Sequence, residues 1–311
     1  MEFIRGLHNL KAHHRGCALT IGNFDGVHQG HRAMLAQLKA RARDLGVPAT
    51  VLIFEPQPFE YFAPERAPAR LTRLREKLER FDDLGADRVV CVRFDARFAA
   101  LSADAFVQQV LLDALGVRHV LVGDDFRYSA GRGGDFASLA AAGARHGFGV
   151  ERLESFVMEG ERVSSTAVRE ALARGDLDKA RRFLGWPYHV CGRVAHGDKR
   201  GRSIGFPTAN IHLHRKNVPL DGVFVVQMHG VAERPWPGVA NIGVRPTVDG
   251  TRALLEVHLF DFAQEIYGRQ VEIEFLHKLR PEQRFESLDA LKRQIDLDAR
   301  AARAYFAAHG R

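Results

Sequence analysis

The sequence predicts an α/β fold with a parallel sheet in its first half and a small antiparallel β-barrel with a terminal helix in its second half. Up to about residue 185, short apolar runs alternate with segments whose apolar residues recur at helical spacing, a rhythm typical of βαβ units. Beyond Gly185-Trp186-Pro187, short alternating runs between glycine and proline turns favour antiparallel strands. A chain of 311 residues can form two domains, and we expect them over residues 1–185 and 186–311.

The first half contains apolar runs that predict buried strands and periodic segments that predict helices. The predicted strands are Ala18–Ile21, Thr50–Phe54, Arg88–Val92, His119–Val122 and Gly149–Leu153. The predicted helices are Gln29–Leu45, Arg73–Leu84, Ala103–Leu115 and Phe136–His146, followed by two short closing helices, Ala167–Leu172 and Leu177–Leu184. Ligands of such sheets bind beyond the carboxyl ends of the strands.

The second half contains shorter alternating segments, which predict the strands Tyr188–Ala195, Val223–Met228, Leu254–Phe260 and Val271–Leu276. A final amphipathic helix is expected from about Ser287 to Ala308. Its apolar residues form one stripe, which indicates packing against the domain rather than a partner site.

Charge and cysteine content narrow the possible functions. The net charge of +7 is shared along the chain rather than gathered in one run, which does not favour nucleic-acid binding. Cys17, Cys91 and Cys191 are widely spaced and form no C-x-x-C pair, so the sequence supports neither a disulfide framework nor a zinc site. We expect three buried free thiols in a reducing compartment. The start of the chain lacks the apolar region of a signal peptide and no run is long enough to span a membrane, so we expect a cytoplasmic protein without a membrane partner.

The segment from Gly22 to His31 carries the strongest chemical signal. A strand, a glycine turn and a helix N-terminus together make an anion site, because unpaired backbone N–H groups and the helix dipole point to the same place. His28 and His31 stand three residues apart and fall on one side of the first helical turn. We therefore expect both rings to bind phosphate oxygens.

A second candidate loop follows the fourth predicted strand. Asp125 and Arg127 are placed to meet a ligand there, and Phe126 offers a flat apolar surface. The following segment Ser129–Asp135, which contains Arg132, reads as a flexible loop that closes over a phosphate. An Asp-rich turn without a ligand is the alternative.

The segment Val163–Arg169 reads as the start of a helix capped by a hydroxyl group. Capping explains one of the hydroxyl residues Ser164, Ser165 and Thr166. Arg169 is expected in the first turn, where a cation is unfavourable beside the helix dipole unless an anion is bound at the same end.

The most informative stretch of the second half runs from Gly192 to Asn210. Its glycines and basic side chains suit a loop that wraps phosphates, although the P-loop pattern is absent. Thr208 and Asn210 lie two apart and point the same way in an extended segment. Their oxygens are hard ligands that suit Mg²⁺, whereas a proline-fixed turn satisfied by its own backbone is the alternative.

The motifs of the first half resemble those of nucleotidyltransferases. His28-Gln29-Gly30-His31 is similar to the H-x-G-H signature, the longer run from Gly22 resembles the FAD synthetase version, and Ser164–Arg169 resembles S-S-T-x-x-R. The resemblance implies a Rossmann-like fold and adenylyl transfer from ATP, in which His28 and His31 are catalytic. It also implies a set of residues that binds ATP phosphates: Gly22, Asn23, Asp25, Gly30, Ser164, Ser165, Thr166 and Arg169. Asp125, Phe126, Arg127 and Arg132 would form a flavin or nucleotide loop, although Tyr128-Ser129 stands where the family usually has Phe-Gly.

The motifs of the second half resemble those of riboflavin kinases. The run Gly205–Asn210 contains P-T-A-N, and the runs Gly238–Thr247 and Glu256–Phe262 are similar to further family motifs. The resemblance implies that Glu256 takes a proton from the ribityl 5′-hydroxyl and that Thr208 and Asn210 hold Mg²⁺. It also implies an ATP-binding set: Gly197, Gly201, Gly205, Pro207, Thr208 and Asn210.

Along nearly the whole chain, the two halves together resemble bacterial bifunctional riboflavin kinase/FAD synthetases. The resemblance implies two reactions: riboflavin and MgATP give FMN and ADP, and FMN and a second ATP then give FAD and pyrophosphate. Riboflavin, FMN and ATP would be the partners of a monomer or weak homo-oligomer that binds no nucleic acid.

Three alternatives remain open from the residues. The nucleotidyltransferase half could use another acceptor, such as pantetheine phosphate or nicotinate mononucleotide. The kinase half could be a degenerate flavin sensor, although Thr208, Asn210 and Glu256 argue against inactivity. A non-enzymatic RNA-binding barrel is suggested only by the pI near 9.6.

Overall fold

The computed structural model describes residues 1–196, 206–213, 215, 217–247 and 250–310. The chain divides into two compact units, one formed by residues 1–67 and 72–164 and the other by residues 68–71 and 165–311. This division places residues 165–184 with the second unit, whereas the sequence-based boundary follows residue 185. Over the described ranges, no helix combines the length and the apolar character needed to cross a membrane.

The first unit is built on a six-stranded parallel sheet in the order β1-β4-β3-β2-β5-β6. The strands are β1 (Glu2–Arg5), β2 (Ala18–Ile21), β3 (Ala49–Glu55), β4 (Arg88–Arg93), β5 (His119–Gly123) and β6 (Gly149–Leu153). The helices are α1 (Gln29–Leu45), α2 (Pro58–Phe62), α3 (Leu74–Asp83), α4 (Ala96–Ala99), α5 (Ala103–Phe106, continued by π-helical turns over Val107–Ala114) and α6 (Phe136–His146). A small hairpin, β7 (Val157–Met158) and β8 (Glu161–Arg162), follows the sheet.

Both faces of this sheet are covered. Leu35, Leu38 and Phe81 of α1 and α3 pack on one face, and Leu111 and Leu139 pack on the other. The central strands are therefore apolar on both sides, as the uninterrupted burial of β2 shows. Strand β2 pairs with both β3 and β5. The strand that follows β2 in the chain, β3, lies on one side of this pair, and the strand that follows β5, β6, lies on the other side. This makes the β2–β5 boundary the switch point, where open α/β sheets bind ligands.

The second unit begins with α7 (Ser165–Arg174) and α8 (Leu177–Leu184) and continues as a closed antiparallel barrel in the order β10-β13-β12-β11-β14-β9. The barrel strands are β9 (His189–Ala195), β10 (Ala209–His212), β11 (Gly222–His229), β12 (Trp236–Thr247), β13 (Gly250–Leu259) and β14 (Gln270–Arg280). A long helix, α9 (Leu288–Ala308), follows them, and the Ser287 hydroxyl caps its N-terminus by accepting a hydrogen bond from the Ala290 N–H.

Helix α9 covers one side of the barrel. Ala299, Ala302 and Phe306 pack on Val223 and Val225 of β11, so the C-terminal part of the predicted apolar stripe is a packing surface, whereas Leu288 at its start is exposed. The Arg280 guanidinium of β14 donates to the Asp298 carboxylate of α9 through Nε at 2.9 Å and Nη2 at 2.7 Å. This paired geometry fixes the direction of the helix more firmly than apolar contact alone.

The predicted architecture is confirmed: a parallel sheet with helices precedes an antiparallel barrel with a terminal helix. Among the strands of the described residues, β1, β10, β12 and the two short hairpin strands β7 and β8 were not predicted. Only Ile4 of β1 is buried. The strand therefore has no repeating apolar pattern from which it could be predicted. Strand β10 has four residues, and β12 contains two prolines and two glycines, which argue against a strand in a sequence taken alone.

Closure of the barrel rests on the β9–β10 pair, which leaves no room for a side chain at Gly192. A Cβ atom there would lie 2.5 Å from Ile211 Cγ2 and 2.8 Å from the His212 carbonyl oxygen. Because the backbone of β10 cannot withdraw without breaking its pairing with β9, we expect Gly192→Ala to lower the free energy of unfolding by about 1–3 kcal/mol. Urea unfolding of the full chain measures this effect.

Gly133→Ala is the matched control for this substitution. A Cβ atom at Gly133 would meet only the Ala130 carbonyl oxygen, at the ordinary distance of 3.4 Å. Equal stability of the two variants would contradict the role assigned to Gly192.

Candidate functional sites

The loop between β2 and α1 is held in place by buried polar contacts. The Asp25 carboxylate accepts hydrogen bonds from the Thr72 backbone N–H at 3.0 Å and from its hydroxyl at 3.3 Å. The Gly26 N–H donates to the Thr72 hydroxyl at 2.9 Å, and the Lys77 ammonium donates to the Asn23 carbonyl oxygen at 2.5 Å. Asp25 and Lys77 are both buried. In this structure Asp25 anchors the loop, and a phosphate-binding role for it stays a prediction.

His28 and His31 come together as the spacing predicts. Their rings stack with centroids 3.6 Å apart and an interplanar angle of 16°. His28 occupies the N-cap position of α1, and the ring of Phe24 supports His31 at 4.9 Å. Gly30 lies against the His28 ring, where a Cβ atom would stand 3.3 Å from Nδ1. The glycine therefore leaves the pair its room at the start of the helix.

The electrostatics of the site favour a neutral imidazole at His31. Burial lowers the pKa of His31 well below its usual value, and the charges of His28 and Lys77 act in the same direction. Nδ1 of His31 is buried and has no hydrogen-bond partner among the residues that the structure describes. At neutral pH the ring can thus offer a hydrogen bond to an incoming oxygen without carrying a positive charge.

The loop after β5 stands beside this site across the switch point, because β5 pairs with β2. Arg162 of β8 donates to Asp124 at 3.0 Å and to Asp125 at 3.3 Å, and the Ser155 hydroxyl donates to Asp124 at 2.5 Å. The Ser155 hydrogen bond is the main cause of a lowered pKa at Asp124. Neither Ser155 nor Arg162 was predicted, since both are distant from this loop in sequence.

The segment predicted to be a flexible loop contains one bridge and one ion pair in this structure. Phe126 stacks on the buried ring of Tyr128 with centroids 5.6 Å apart, and a bridge between Tyr128 and Gly134 closes the turn. Arg127 forms an ion pair with Asp135 at 3.1 Å, and Arg132 is exposed with a φ of 57°. Phe126 is partly engaged by the core, so only one of its faces is available to a ligand.

In sequence, the hydroxyl-rich motif spans the boundary between the two units. Ser164 ends the first unit, and helix α7 of the second unit begins at Ser165 and includes Thr166 and Arg169. Arg169 is therefore the fifth residue of the helix, so the prediction that it lies in the first turn is wrong. Its Nε donates to the Ala69 carbonyl oxygen at 2.6 Å, which gives the side chain a structural contact within the second unit.

In the barrel, strand register gathers the predicted kinase residues. Glu256 of β13 lies directly opposite Asn210 of β10, and Val257 lies opposite Ala209. The buried neighbours Leu255 and Val257 point into the barrel, so Glu256 and Asn210 share its outer face. A carboxylate and an amide are thus adjacent although 46 residues separate them in sequence.

The P-T-A-N segment reaches this face just before β10. The Pro207 carbonyl oxygen and His258 Nδ1 of β13 are 2.9 Å apart, a hydrogen bond that fixes the start of the segment. Thr208 stands two residues before Asn210, where an extended chain places both side chains on one side. Gly197, Gly201 and Gly205, predicted to cover ATP, lie outside the described residues.

The structure adds Asn241 to the barrel site. It lies on β12 directly opposite Glu256, on the side away from Asn210. Its amide donates to Glu282 at 3.1 Å, and its Oδ1 is buried without a hydrogen-bond partner in the described part of the chain. The run that contains Asn241 resembled the kinase family, but only strand register identifies this residue as a neighbour of Glu256.

Family models match both parts of the chain. A model described as FAD synthetase matches residues 10–167, and a model described as riboflavin kinase matches residues 184–306. The first contains the paired histidines, and the second contains Asn210, Asn241 and Glu256.

Curated relatives match over almost their whole length. The chain is 54% identical over 307 residues to the bifunctional riboflavin kinase/FMN adenylyltransferase of Escherichia coli strain K12, with 98% of each chain covered. It is 54% identical over 305 residues to the protein of the same name from Pseudomonas fluorescens, covering 98% of this chain and 97% of that protein. The corresponding Haemophilus influenzae protein is 51% identical over 306 residues, with coverage of 98% and 99%.

A solved structure has the same architecture. A crystal structure described as a macrolide-efflux protein from Streptococcus pneumoniae superposes with a TM-score of 0.81 at 27% identity, covering 97% of this chain and 99% of that one. The assignment rests on two family models that match in order along the chain, on relatives that are more than 50% identical over nearly their full length, and on the shared fold. The chain belongs to the family of bifunctional riboflavin kinase/FMN adenylyltransferases.

Proposed function

We propose that this chain makes FAD from riboflavin in two ATP-dependent steps, each at its own centre. The barrel phosphorylates riboflavin to FMN, and the first unit provides the paired histidines with which FMN is adenylylated to FAD and pyrophosphate is released. The observation that carries the proposal is the presence of two chemically different polar sites, each inside the matching family model. Full-length relatives that bear both activity names support it.

In the kinase step, the residues of β10 and β13 act on the two reactants. Glu256 accepts the proton of the ribityl 5′-hydroxyl as that oxygen attacks the terminal phosphorus of ATP, and ADP leaves. Asn210 and Thr208 bind on the phosphate side of the reaction. Asn241, next to Glu256, offers its buried amide oxygen to a hydroxyl of the ribityl chain.

The donor set on this face fits Mg²⁺. The Thr208 hydroxyl, the Asn210 amide oxygen and the adjacent Glu256 carboxylate are hard oxygen ligands, and no sulfur or imidazole is required. Thr208 and Asn210 would hold the ion. When bound, Mg²⁺ neutralises phosphate charge and aligns the phosphoryl group.

In the adenylyl step, FMN supplies an ionised phosphate, so the attack on the α-phosphorus needs no strong base. His28 and His31 donate hydrogen bonds to phosphate oxygens as negative charge moves toward the pyrophosphate. The lowered pKa of His31 means that its contribution in the free protein is that of a neutral N–H donor. Asp25 and Lys77 contribute indirectly, because they hold the loop that leads into the His28–His31 pair.

The alternatives left open by the sequence have less support. A different adenylyl acceptor would not explain a kinase barrel with Asn210, Asn241 and Glu256 on one face. A flavin sensor without catalysis would not need a carboxylate beside two amides, and an RNA-binding barrel has no support from the family models.

Separate centres predict separable losses. We expect His28→Ala to abolish conversion of FMN to FAD while FMN formation from riboflavin continues, because the barrel is unchanged. We expect Asn210→Ala to abolish riboflavin phosphorylation while added FMN is still adenylylated. Chromatographic separation of the flavins, after incubation with ATP and Mg²⁺, measures both activities.

His146→Ala is the matched control for the histidine variant, because His146 is exposed at the end of α6 in the same unit. It should retain both activities. Loss of both activities in a folded His28→Ala or Asn210→Ala protein would contradict two independent centres.

Glu256→Gln tests the proposed base directly. The amide has nearly the shape of the carboxylate but cannot accept the hydroxyl proton, so we expect kcat of the kinase step to fall by about 10²–10⁴-fold with little change in the KM for ATP. Adenylylation of supplied FMN should be unaffected. Glu233→Gln, at an exposed position just before β12, is the control, and an unchanged kcat in Glu256→Gln would exclude Glu256 as the base.

A further inference from the structure

A cluster of three different metal-ligating side chains lies on the barrel wall, outside the kinase residues. His189 and Cys191 stand two apart on β9 and therefore share one face. Glu272 of β14 lies directly opposite Cys191 in the antiparallel register. The three ligand atoms lie within 4.8 Å of one another. The three cysteines were expected to be buried, and that expectation is wrong for Cys191, which is partly exposed.

We propose that His189, Cys191 and Glu272 form a binding site for a divalent cation of the zinc class. Imidazole, thiolate and carboxylate are the protein ligands of Zn²⁺, and sulfur excludes a preference for Mg²⁺. Three protein ligands leave a fourth position of the tetrahedron for water. On binding, the Cys191 S–H bond breaks, a sulfur–metal bond forms and the proton passes to solvent, with no change in oxidation state.

The distances fit a small ion. His189 Nδ1 is 3.4 Å from Glu272 Oε1, and Cys191 Sγ is 3.9 Å from Glu272 Oε2. Tetrahedral zinc with bonds of about 2.0–2.3 Å requires donor separations of about 3.3–3.6 Å. The two separations that involve Glu272 therefore need to shorten by at most a few tenths of an ångström, and the third, between His189 and Cys191, is within 4.8 Å before any ion is bound.

The side chains of the cluster differ in exposure, and the more exposed ones leave a path for an ion. The His189 side chain is only 5% exposed, whereas the Glu272 side chain is 34% exposed. The ring of Trp186 stands 4.9 Å from the His189 ring and shields that side. An ion can approach over Glu272 and Cys191 and then reach a ring nitrogen whose orientation is already set.

The described residues contain a second group of potential metal ligands. Glu2, His13 and His14 also lie close together. However, His14 Nδ1 accepts a hydrogen bond from the Lys11 N–H at 2.9 Å, and its Nε2 faces Glu2 Oε1 at 2.9 Å. Arg88 occupies the other carboxylate oxygen at 3.0 Å. This group lies in the first unit, not in the barrel, and supplies a control residue for the experiment below.

The proposed site is separate from the kinase centre. Asn210 pairs with Ala195 at the far end of β9, six residues beyond His189 and about 20 Å along the strand. The ion would join β9 to β14 where the chain enters the barrel. It would therefore stabilise the folded barrel in proportion to its occupancy.

Cobalt provides a direct probe because Co²⁺ bound to a thiolate gives a charge-transfer absorption band. We expect the full chain, freed of metal by a chelator and kept reduced without nucleotide, to bind one Co²⁺ with this band and to lose the band when one equivalent of Zn²⁺ is added. Cys191→Ser should lack the band and bind Zn²⁺ at least about 100-fold more weakly. This loss of affinity exceeds the loss that follows when a residue hydrogen-bonded to a metal ligand is replaced. Cys17 and Cys91 remain in this variant and serve as internal controls.

Two further variants keep the test decisive if Cys191→Ser folds poorly. Glu272→Gln should weaken Zn²⁺ binding and remove the rise in melting temperature that Zn²⁺ gives the wild type, whereas His13→Ala, in the other cluster, should change neither. The proposal would be overturned if the cobalt–thiolate band were still present in Cys191→Ser. It would also be overturned if the wild-type protein showed no such band. Neither readout involves flavin turnover, so the result is independent of the two activities proposed above.

Discussion

The pairing of β13 with β10 on one side and β12 on the other determines which polar side chains of the barrel lie together. Antiparallel register places Asn210 and Asn241 directly opposite Glu256, so three polar side chains share one outer face while Leu255 and Val257 fill the interior. The same kind of register places Cys191 opposite Glu272 on another part of the wall. A slip of one residue would turn each of these side chains to the other face of its strand. The small Gly192 at the β9–β10 seam is part of what keeps that register.

In the first unit, the parallel sheet brings together the loops that follow its neighbouring strands. Strands β2 and β5 meet at the switch point, and their following loops carry the stacked histidines and the Asp125–Arg132 segment. Such loops need anchoring, because they lie beyond the ends of the sheet hydrogen bonds. Here the anchors are buried: Asp25 holds Thr72, and Lys77 holds the Asn23 carbonyl oxygen. Charged groups with these partners fix the loop that leads into the histidine pair.

The residues that the sequence predicted are those in short contiguous motifs. The juxtaposition of His28 and His31 follows from helical spacing, whereas Thr208 and Asn210 were singled out by the resemblance of their segment to a family motif. Asn241, Ser155 and Arg162 were missed because their neighbours come from strand pairing or from distant loops. The zinc-class cluster was missed for the same reason, since Glu272 is 81 residues from Cys191. Arg169 was placed too early because helix α7 begins two residues before the predicted start.

The central claim is that one chain carries out two successive transfers on a flavin. A chromatographic time course of the purified chain with riboflavin, ATP and Mg²⁺ tests it most directly. The account predicts that FMN appears first and is then converted to FAD, with ADP and pyrophosphate formed as the respective by-products. FMN that accumulates without any FAD, or riboflavin that stays unchanged while supplied FMN becomes FAD, would contradict it.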